Sequence, residues 1–281
     1  MYIKPLMKLI DYHIHPDFSQ DATGSIFEFV ESAIAKGLSS IAFTTHIDLN
    51  PKRIALDRFI RTDGRLSFLS EENFQQYIDK IEEARIRFSD RIDIMRGAEL
   101  SYGKSFESEI ANFLSRFKLD FVIGSIHCLE NIAVTSSFEA PIYFATHTLT
   151  ELADSYFQAL YELIDSGLFD TVGHIDGYKK YATSYYGKSI SKIHKGRIEE
   201  ILSLMEEKEI GMEINTAAYR KGLGEFYPSE DILALAGRFG VPVNSFGSDA
   251  HNPSDVGFMV EDAIMLAKRH KLNIKTYRRQ R

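Results

Sequence analysis

Leu9-Ile-Asp-Tyr-His-Ile-His15 is a short apolar run that ends in two histidines. Read as a strand, it points His13 and His15 to one side, because alternate strand residues share a face. The same design recurs down the chain. Residues 40–46 end in His46, residues 93–99 in Glu99, and residues 120–127 in His127. Residues 170–176 carry His174 and Asp176, and residues 210–215 end in Glu213-Ile-Asn215. Residues 241–247 run out into Gly247-Ser-Asp-Ala-His251, where Asp249 and His251 repeat the spacing of the first pair.

Amphipathic stretches lie between these runs. Residues 26–35 read as a helix, with Thr23 or Ser25 as its N-cap and Gly37 just past its end. Further helices are expected at 70–88, 106–117, 150–166, 191–208, 229–239 and 254–270. Seven or so strand-then-helix units imply parallel pairing with helical crossovers. No glycine-rich nucleotide fingerprint follows the first strand, so the pattern predicts an α/β fold with a closed or distorted barrel. An open doubly wound sheet is the alternative. No composition break divides the chain, so residues 1–281 are expected to form one domain. The irregular stretch 128–147 reads as an insertion over the barrel mouth, and residues 271–281 as a tail.

In a parallel barrel all the strand ends open on one face, where barrel enzymes keep their active sites. Six of the nine histidines fall on those ends. Neutral imidazole and carboxylate are the usual ligands of zinc, manganese and iron, and one ion takes three or four of them. His13, His15, His46, His127, His174 and His251, with Glu99, Asp249 and Asp21, are too many for one ion and suit two or three. Each has an ordinary alternative: Glu99 could cap the next helix, His174 could be a satisfied core histidine, and Asp17…Asp21 could be loop capping. Their joint occurrence at consecutive strand ends points to metal.

The bulk numbers are ordinary for a soluble globular protein. The chain has 281 residues, 44% hydrophobic and 26% charged, with a net charge of −7. That balance gives no overall pull toward nucleic acid or anionic membrane. The single cysteine, Cys128, allows no intrachain disulfide, which favours a reducing compartment. Residues 1–7 read as too short and broken for a signal peptide, and no run reaches the roughly 20 apolar residues of a membrane span. A cytoplasmic location is expected.

The motifs also carry a resemblance. Asp11-Tyr-His-Ile-His15 with Asp21, Thr44-Thr-His46, Gly97-Ala-Glu99, Gly124-Ser-Ile-His127, Val172-Gly-His174 and Gly247-Ser-Asp-Ala-His251 resemble the polymerase and histidinol phosphatase (PHP) superfamily, in family order across nearly the whole chain. The resemblance implies a distorted (β/α)7 barrel with a trinuclear centre of zinc, manganese or iron at the C-terminal ends of the strands. It would place one ion on His13, His15, Glu99 and Asp249, and a second on Glu99, as a bridge, with His127 and His174. A third would lie on Asp21, His46 and His251. Aspartate at position 21 looks like the histidinol-phosphatase branch. So does Asn215-Thr-Ala-Ala-Tyr-Arg220-Lys-Gly-Leu-Gly, which is similar to the arginine-bearing loop of the monofunctional enzymes.

That branch implies hydrolysis of L-histidinol phosphate to L-histidinol and phosphate, in histidine biosynthesis, by attack of a metal-bridging hydroxide. Three divalent ions against three carboxylates leave about +3, a trap for a phosphate dianion. Arg220 would grip phosphate oxygens, or else form a surface ion pair. Asp176 would orient a ligand histidine or protonate the leaving alkoxide, with a helix-cap role equally open. The segment Cys128-Leu-Glu-Asn-Ile-Ala-Val-Thr135 departs from the aromatic and Asp-rich stretch of that branch, which leaves the leaving group open. The alternatives are a phosphoesterase for a nucleotide or sugar phosphate, and a non-catalytic metal-binding module. His147, His194 and His270 are expected to be exposed, Cys128 is not read as a nucleophile, and 178–186 reads as a loop with packed tyrosines.

Overall fold

The computed structural model describes residues 8–275. Its main sheet is entirely parallel. The strands are β1 (Ile10–Ile14), β2 (Ser40–Phe43), β3 (His46–Ile47), β4 (Asp93–Ser101), β5 (Phe121–Ser125), β6 (Thr171–Val172), β7 (Gly211–Asn215), β8 (Pro242–Gly247) and β9 (Asn273–Ile274). They lie in the order β1-β2-β4-β5-β6-β7-β8-β9, with β3 continuing the line of β2 along β4. Spatial order follows chain order, so the sheet has no switch point of the open doubly wound kind. The sheet also curls on itself. Ile14, at the end of β1, forms a parallel bridge with Ala250, just beyond β8. There the His15 amide donates to the Ala250 carbonyl at 2.8 Å.

Except for the exposed β9, the strands are largely buried on both faces because helices cover the outside while side chains fill the inside. Their near-continuous runs of Ile, Val, Phe and Ala follow from that. The helices begin where the caps say they should. Ser25 and Glu28 form a reciprocal capping box on Ile26–Ala35. Ser70 caps Glu71–Arg87 through the Asn73 amide. Thr148 and Glu151 do for Leu149–Asp165, which starts one residue earlier than the sequence placed it, what Ser25 and Glu28 do for the first helix.

Several expectations need correction. Residues 178–186 are mostly helical, as Lys179–Tyr186, with Tyr178 buried at its head. The helix expected from residue 191 starts at Ile198, after a 3-10 turn, Gly187–Lys192. Between the strand ending at 46 and the helix from 70, where the sequence predicts neither strand nor helix, lies a hairpin, Phe59–Thr62 with Arg65–Phe68. The stretch 128–147 is ordered, as a hairpin of Cys128–Leu129 with Ile132–Ala133 and a helix Ala140–Thr146. The expected tail begins inside the sheet, because Asn273 and Ile274 pair with Pro242 and Val243 of β8. The expectations for residues 1–7 and for the basic end after 275 lie outside the described residues. No helix among the described residues is long and apolar enough to cross a membrane.

Candidate metal centre

Glu99 lies where β4 is paired on both sides, with His46 of β3 and Ile123 of β5 as its register partners. Its carboxylate is fully buried, and five imidazoles converge on it. Oε1 lies 3.0 Å from His174 Nε2 and 3.3 Å from His127 Nε2. Oε2 lies 2.8 Å from His46 Nδ1, 3.3 Å from His13 Nε2 and 3.6 Å from His15 Nε2. The β1–Ala250 bridge brings in the last strand end. Asp249 Oδ1 is 3.3 Å from His15 Nε2 and 3.9 Å from His13 Nε2. His251 Nε2 is 3.3 Å from both His46 Nε2 and Asp21 Oδ2. The nine residues singled out in the sequence therefore form one cluster. Asp21 is its most exposed member.

Hydrogen bonding alone does not satisfy this cluster. One carboxylate cannot pair with five imidazoles. His13 Nε2, both ring nitrogens of His15, His174 Nδ1 and Glu99 Oε2 are buried without a hydrogen-bond partner. Orphaned buried polar atoms cost free energy and are rare, so a group of them within one cluster calls for an explanation. Imidazole nitrogens and carboxylate oxygens are the donor set of a divalent transition metal, and three overlapping groups are close enough to hold an ion. These are His13, His15 and Glu99; His15, His46 and His251; and His46, Glu99 and His127. The residues fit metal.

Their titration points the same way. Burial alone would raise Glu99, yet His13, His127 and His46 hold it well below the usual carboxylate range. Burial opposes charge on His13, but Glu213, Glu99 and Asp249 push it well above an ordinary histidine. His46 likewise rises against burial, to about 9, through Glu99 and Asp21. His15 is driven down by burial and by the neighbouring His46 and His251. Protons thus crowd a few nitrogens of the bare cluster, where a bound cation would displace them.

A PHP domain family model matches residues 11–217. The chain belongs to the PHP family. The histidinol-phosphatase of Lactococcus lactis is 30% identical over 247 residues, covering 87% of this chain and 85% of that one. The histidinol-phosphatase of Bacillus subtilis is 29% identical over 273 residues, covering 91% and 98%. A crystal structure of the Lactococcus lactis histidinol phosphate phosphatase, complexed with zinc, L-histidinol and phosphate, matches with a TM-score of 0.77. That match is 26% identical and covers 95% of each chain. The residues matched by the family model stop before Asp249 and His251, which the sheet curl nevertheless carries into the PHP cluster.

Outer contacts fix the rings of this PHP chain. Glu213 Oε1 accepts from His13 Nδ1 at 2.7 Å, and Oε2 accepts from the His174 amide at 3.0 Å. Sequence reasoning placed Glu213 at a strand end and gave it no role. Its strand-end position, shared with Glu99, was the available signal. Ser101 Oγ meets His127 Nδ1 at 2.9 Å, Ser125 Oγ donates to Glu99 Oε1 at 2.6 Å, and the Asp249 carbonyl meets His251 Nδ1 at 3.0 Å. Two glycines of the motifs make room: a Cβ on Gly247 would collide with Glu213 and His13, and one on Gly97 with the Phe43 and Phe121 carbonyls. Asp249 adopts a left-handed backbone, φ 53°, of the kind that persists where surrounding contacts enforce it.

Two arginines hold the loops, Arg220, singled out in the sequence, and Arg61, which was not. Arg61 donates to the carbonyls of Asp17, Gln20, Ser19 and Ala22, the loop that carries Asp21. Arg220 donates through Nη2 to the Asp249 carbonyl at 2.8 Å, while its Nη1 is buried without a partner. Asp176 is engaged with the scaffold: its Oδ2 pairs with Lys179 at 2.7 Å and accepts from the Ser229 amide. The remaining histidines are not exposed as expected. His194 is buried, His147 stacks on Tyr143 at 3.9 Å, and His270 pairs with Glu230. The cluster forms the floor of a cleft of about 620 Å³. Its walls come from residues 48–66 and 128–139, with Lys180, Lys221 and Tyr227.

Proposed function

We propose that this PHP protein is a metal-dependent phosphomonoesterase that hydrolyses L-histidinol phosphate to L-histidinol and phosphate. The observation that carries the proposal is the convergence of five imidazoles on Glu99 at the base of an open cleft. Likeness to histidinol-phosphatases along nearly the whole chain supplies the substrate. The sheet curl and the Ile14–Ala250 bridge support a distorted (β/α)7 barrel, with one domain over residues 1–281 and 128–147 at its mouth. A small phosphomonoester is the partner this cleft suits.

The ligand assignment we favour is the threefold one. His13, His15, Glu99 and Asp249 would hold one ion, and Glu99 with His127 and His174 a second. Asp21, His46 and His251 would hold a third. Zinc, manganese or iron would suit these donors. Divalent ions bound there supply Lewis acidity, neutralising phosphate and lowering the pKa of a water toward roughly 7.

The chain's own residues do the rest. Glu213 keeps the His13 Nδ1 proton on its own side, which turns Nε2 toward Glu99. Ser101 and the Asp249 carbonyl do the same for His127 and His251. Arg220 steadies the Asp249 backbone and lies 3.7 Å from Asp255, and we assign it to a phosphate oxygen on the likeness of its loop to that of the histidinol-phosphatases. The scaffold contacts of Asp176 favour a structural role for it over proton donation.

The test is a substrate panel with zinc- and manganese-loaded protein. Histidinol phosphate should be hydrolysed well above p-nitrophenyl phosphate and above nucleotide and sugar phosphates. Equal turnover of histidinol phosphate and p-nitrophenyl phosphate would reject the substrate. No hydrolysis of any phosphoester by metal-replete protein would reject the enzyme.

A further inference from the structure

One wall of the cleft is a short arc, residues 133–139, of which Thr135, Ser136, Ser137 and Phe138 face the opening. It follows the hairpin tip Glu130-Asn131, where both residues have positive φ, as a two-residue turn of this hand requires. We propose that Arg53 is a positioning residue for leaving-group recognition. It clamps this arc into the shape that receives the histidinol end of the substrate. The proposal rests on the histidinol-phosphate reading.

Arg53 is 3% exposed, although it carries a full charge at the edge of a cleft. Its fork holds Glu139 twice, Nη1 to Oε2 and Nη2 to Oε1, each at 2.7 Å. Nη1 also donates to the Asn131 carbonyl at 2.7 Å, and Nε donates to Asp57. Beside it, Asn50 Nδ2 reaches Asn131 Oδ1 at 3.0 Å. Glu139 Oε2 accepts in addition from the Ala133 amide at 3.1 Å, which ties the two ends of the arc together. Arg53 therefore holds the hairpin tip, the closing carboxylate of the arc and its own loop at once.

Every nitrogen of Arg53 already donates within the protein, so it is not a spare guanidinium waiting for phosphate. What it shapes is a surface of different chemistry. Phe138 is 88% exposed and presents a bare aromatic ring to the cleft, with the hydroxyls of Thr135, Ser136 and Ser137 in the same wall. An aromatic face with neighbouring hydroxyls suits a leaving group with a planar, hydrogen-bonding end, such as histidinol with its imidazole. The arc carries no cation to pair with a phosphate. The start of the arc is held separately, because the Val134 amide donates to the His127 carbonyl at 2.9 Å. Cutting the clamp should loosen the wall without disturbing the floor.

Arg53→Lys and Arg53→Gln test this. Lysine keeps the charge but cannot make the bidentate contact and reach Asn131 and Asp57 together. Either change leaves Glu139 and Asp57, each about a quarter exposed, free to regain water. The KM for histidinol phosphate should rise about tenfold, with kcat within about twofold. Metal content, kcat/KM for p-nitrophenyl phosphate and inhibition by inorganic phosphate should not change. Amide exchange at residues 131–139 should accelerate in the metal-free protein. An unchanged KM for histidinol phosphate overturns the proposal, and so does an equal loss on both substrates or a loss of metal. If the wild-type protein shows no preference for histidinol phosphate, the substrate reading fails. The clamp is then decided by exchange at 131–139 alone, and unaltered exchange overturns it.

Discussion

Glu99 in the floor of the cleft and Glu139 in its wall are both carboxylates that gather other side chains, but they are supported differently. Glu99 lies inside β4, paired on both sides, and the groups it meets stand on neighbouring strand ends. Glu139 heads a seven-residue helix, and its partners are a loop arginine and the amide of Ala133. A residue held by a sheet can move only if the sheet moves. A residue held by one side-chain clamp can move when the clamp opens. The floor is built to hold a fixed arrangement of donors, and the wall can vary without touching that arrangement. On the two proposals above, reaction and substrate choice would sit on separable parts of the fold.

The comparison breaks most sharply at Glu99. Glu99→Gln should lower activity by roughly a thousandfold or more, with metal content falling in parallel and the barrel still folded. Metal analysis and circular dichroism of the same sample check both parts. The double variant His13→Ala with Glu99→Ala should retain no metal, and retained stoichiometry would show that the ligand assignment is wrong.

One layer out, the effect should shrink. Glu213→Gln removes the charge behind His13 and should weaken metal binding by about ten- to a hundredfold, as read by chelator competition. Gly247→Ala should act through the same group, because the added methyl has no room beside Glu213 and His13. It should also cost about 1–3 kcal/mol of stability by overpacking. A denaturation midpoint equal to wild type would show that the strand end has room for a methyl group.

The floor should also respond to pH where the wall does not. His46 is raised from 6.5 to about 9, because burial is outweighed by Glu99 and Asp21. A raised histidine stabilises the metal-free fold fully below about 6.5, and loses that contribution as pH climbs through about 9. Metal binding runs the other way, since the proton must leave first, so affinity should increase from pH 6.5 to 9. Metal titrations and melting curves over that range should therefore slope in opposite directions. A flat affinity profile would remove His46 from the ligand set. The smallest effect belongs to the outer scaffold. Ser70→Ala removes the cap of Glu71–Arg87 and should cost about 1 kcal/mol with activity unchanged.

Much of the floor was legible before any coordinates. His13, His15, Glu99 and His127 could be read because strand period and strand ends are local properties of the sequence. The wall was not legible. Residues 128–139 have no period, and their shape comes from Arg53, some eighty residues earlier in the chain. Arg61 was hidden for the same reason, since nothing local links it to the loop that carries Asp21. His194 looked like a surface residue in a polar stretch and is buried. The exposure of a loop histidine depends on what packs against it, which sequence spacing does not encode.

By itself the sequence determined the alternation of strands and helices, the caps that start them, and which residue types stand at the strand ends. These follow from periods of two and 3.6 and from side-chain chemistry. Only the tertiary structure decided that those ends meet. The bridge between Ile14 and Ala250 joins parts of the chain more than two hundred residues apart, and it brings Asp249 and His251 against His15. The tertiary structure also decided which carboxylate backs which imidazole, and where the wall of the cleft stands. Such contacts depend on how a curled sheet packs its interior, where burial and charge act across space and not along the chain.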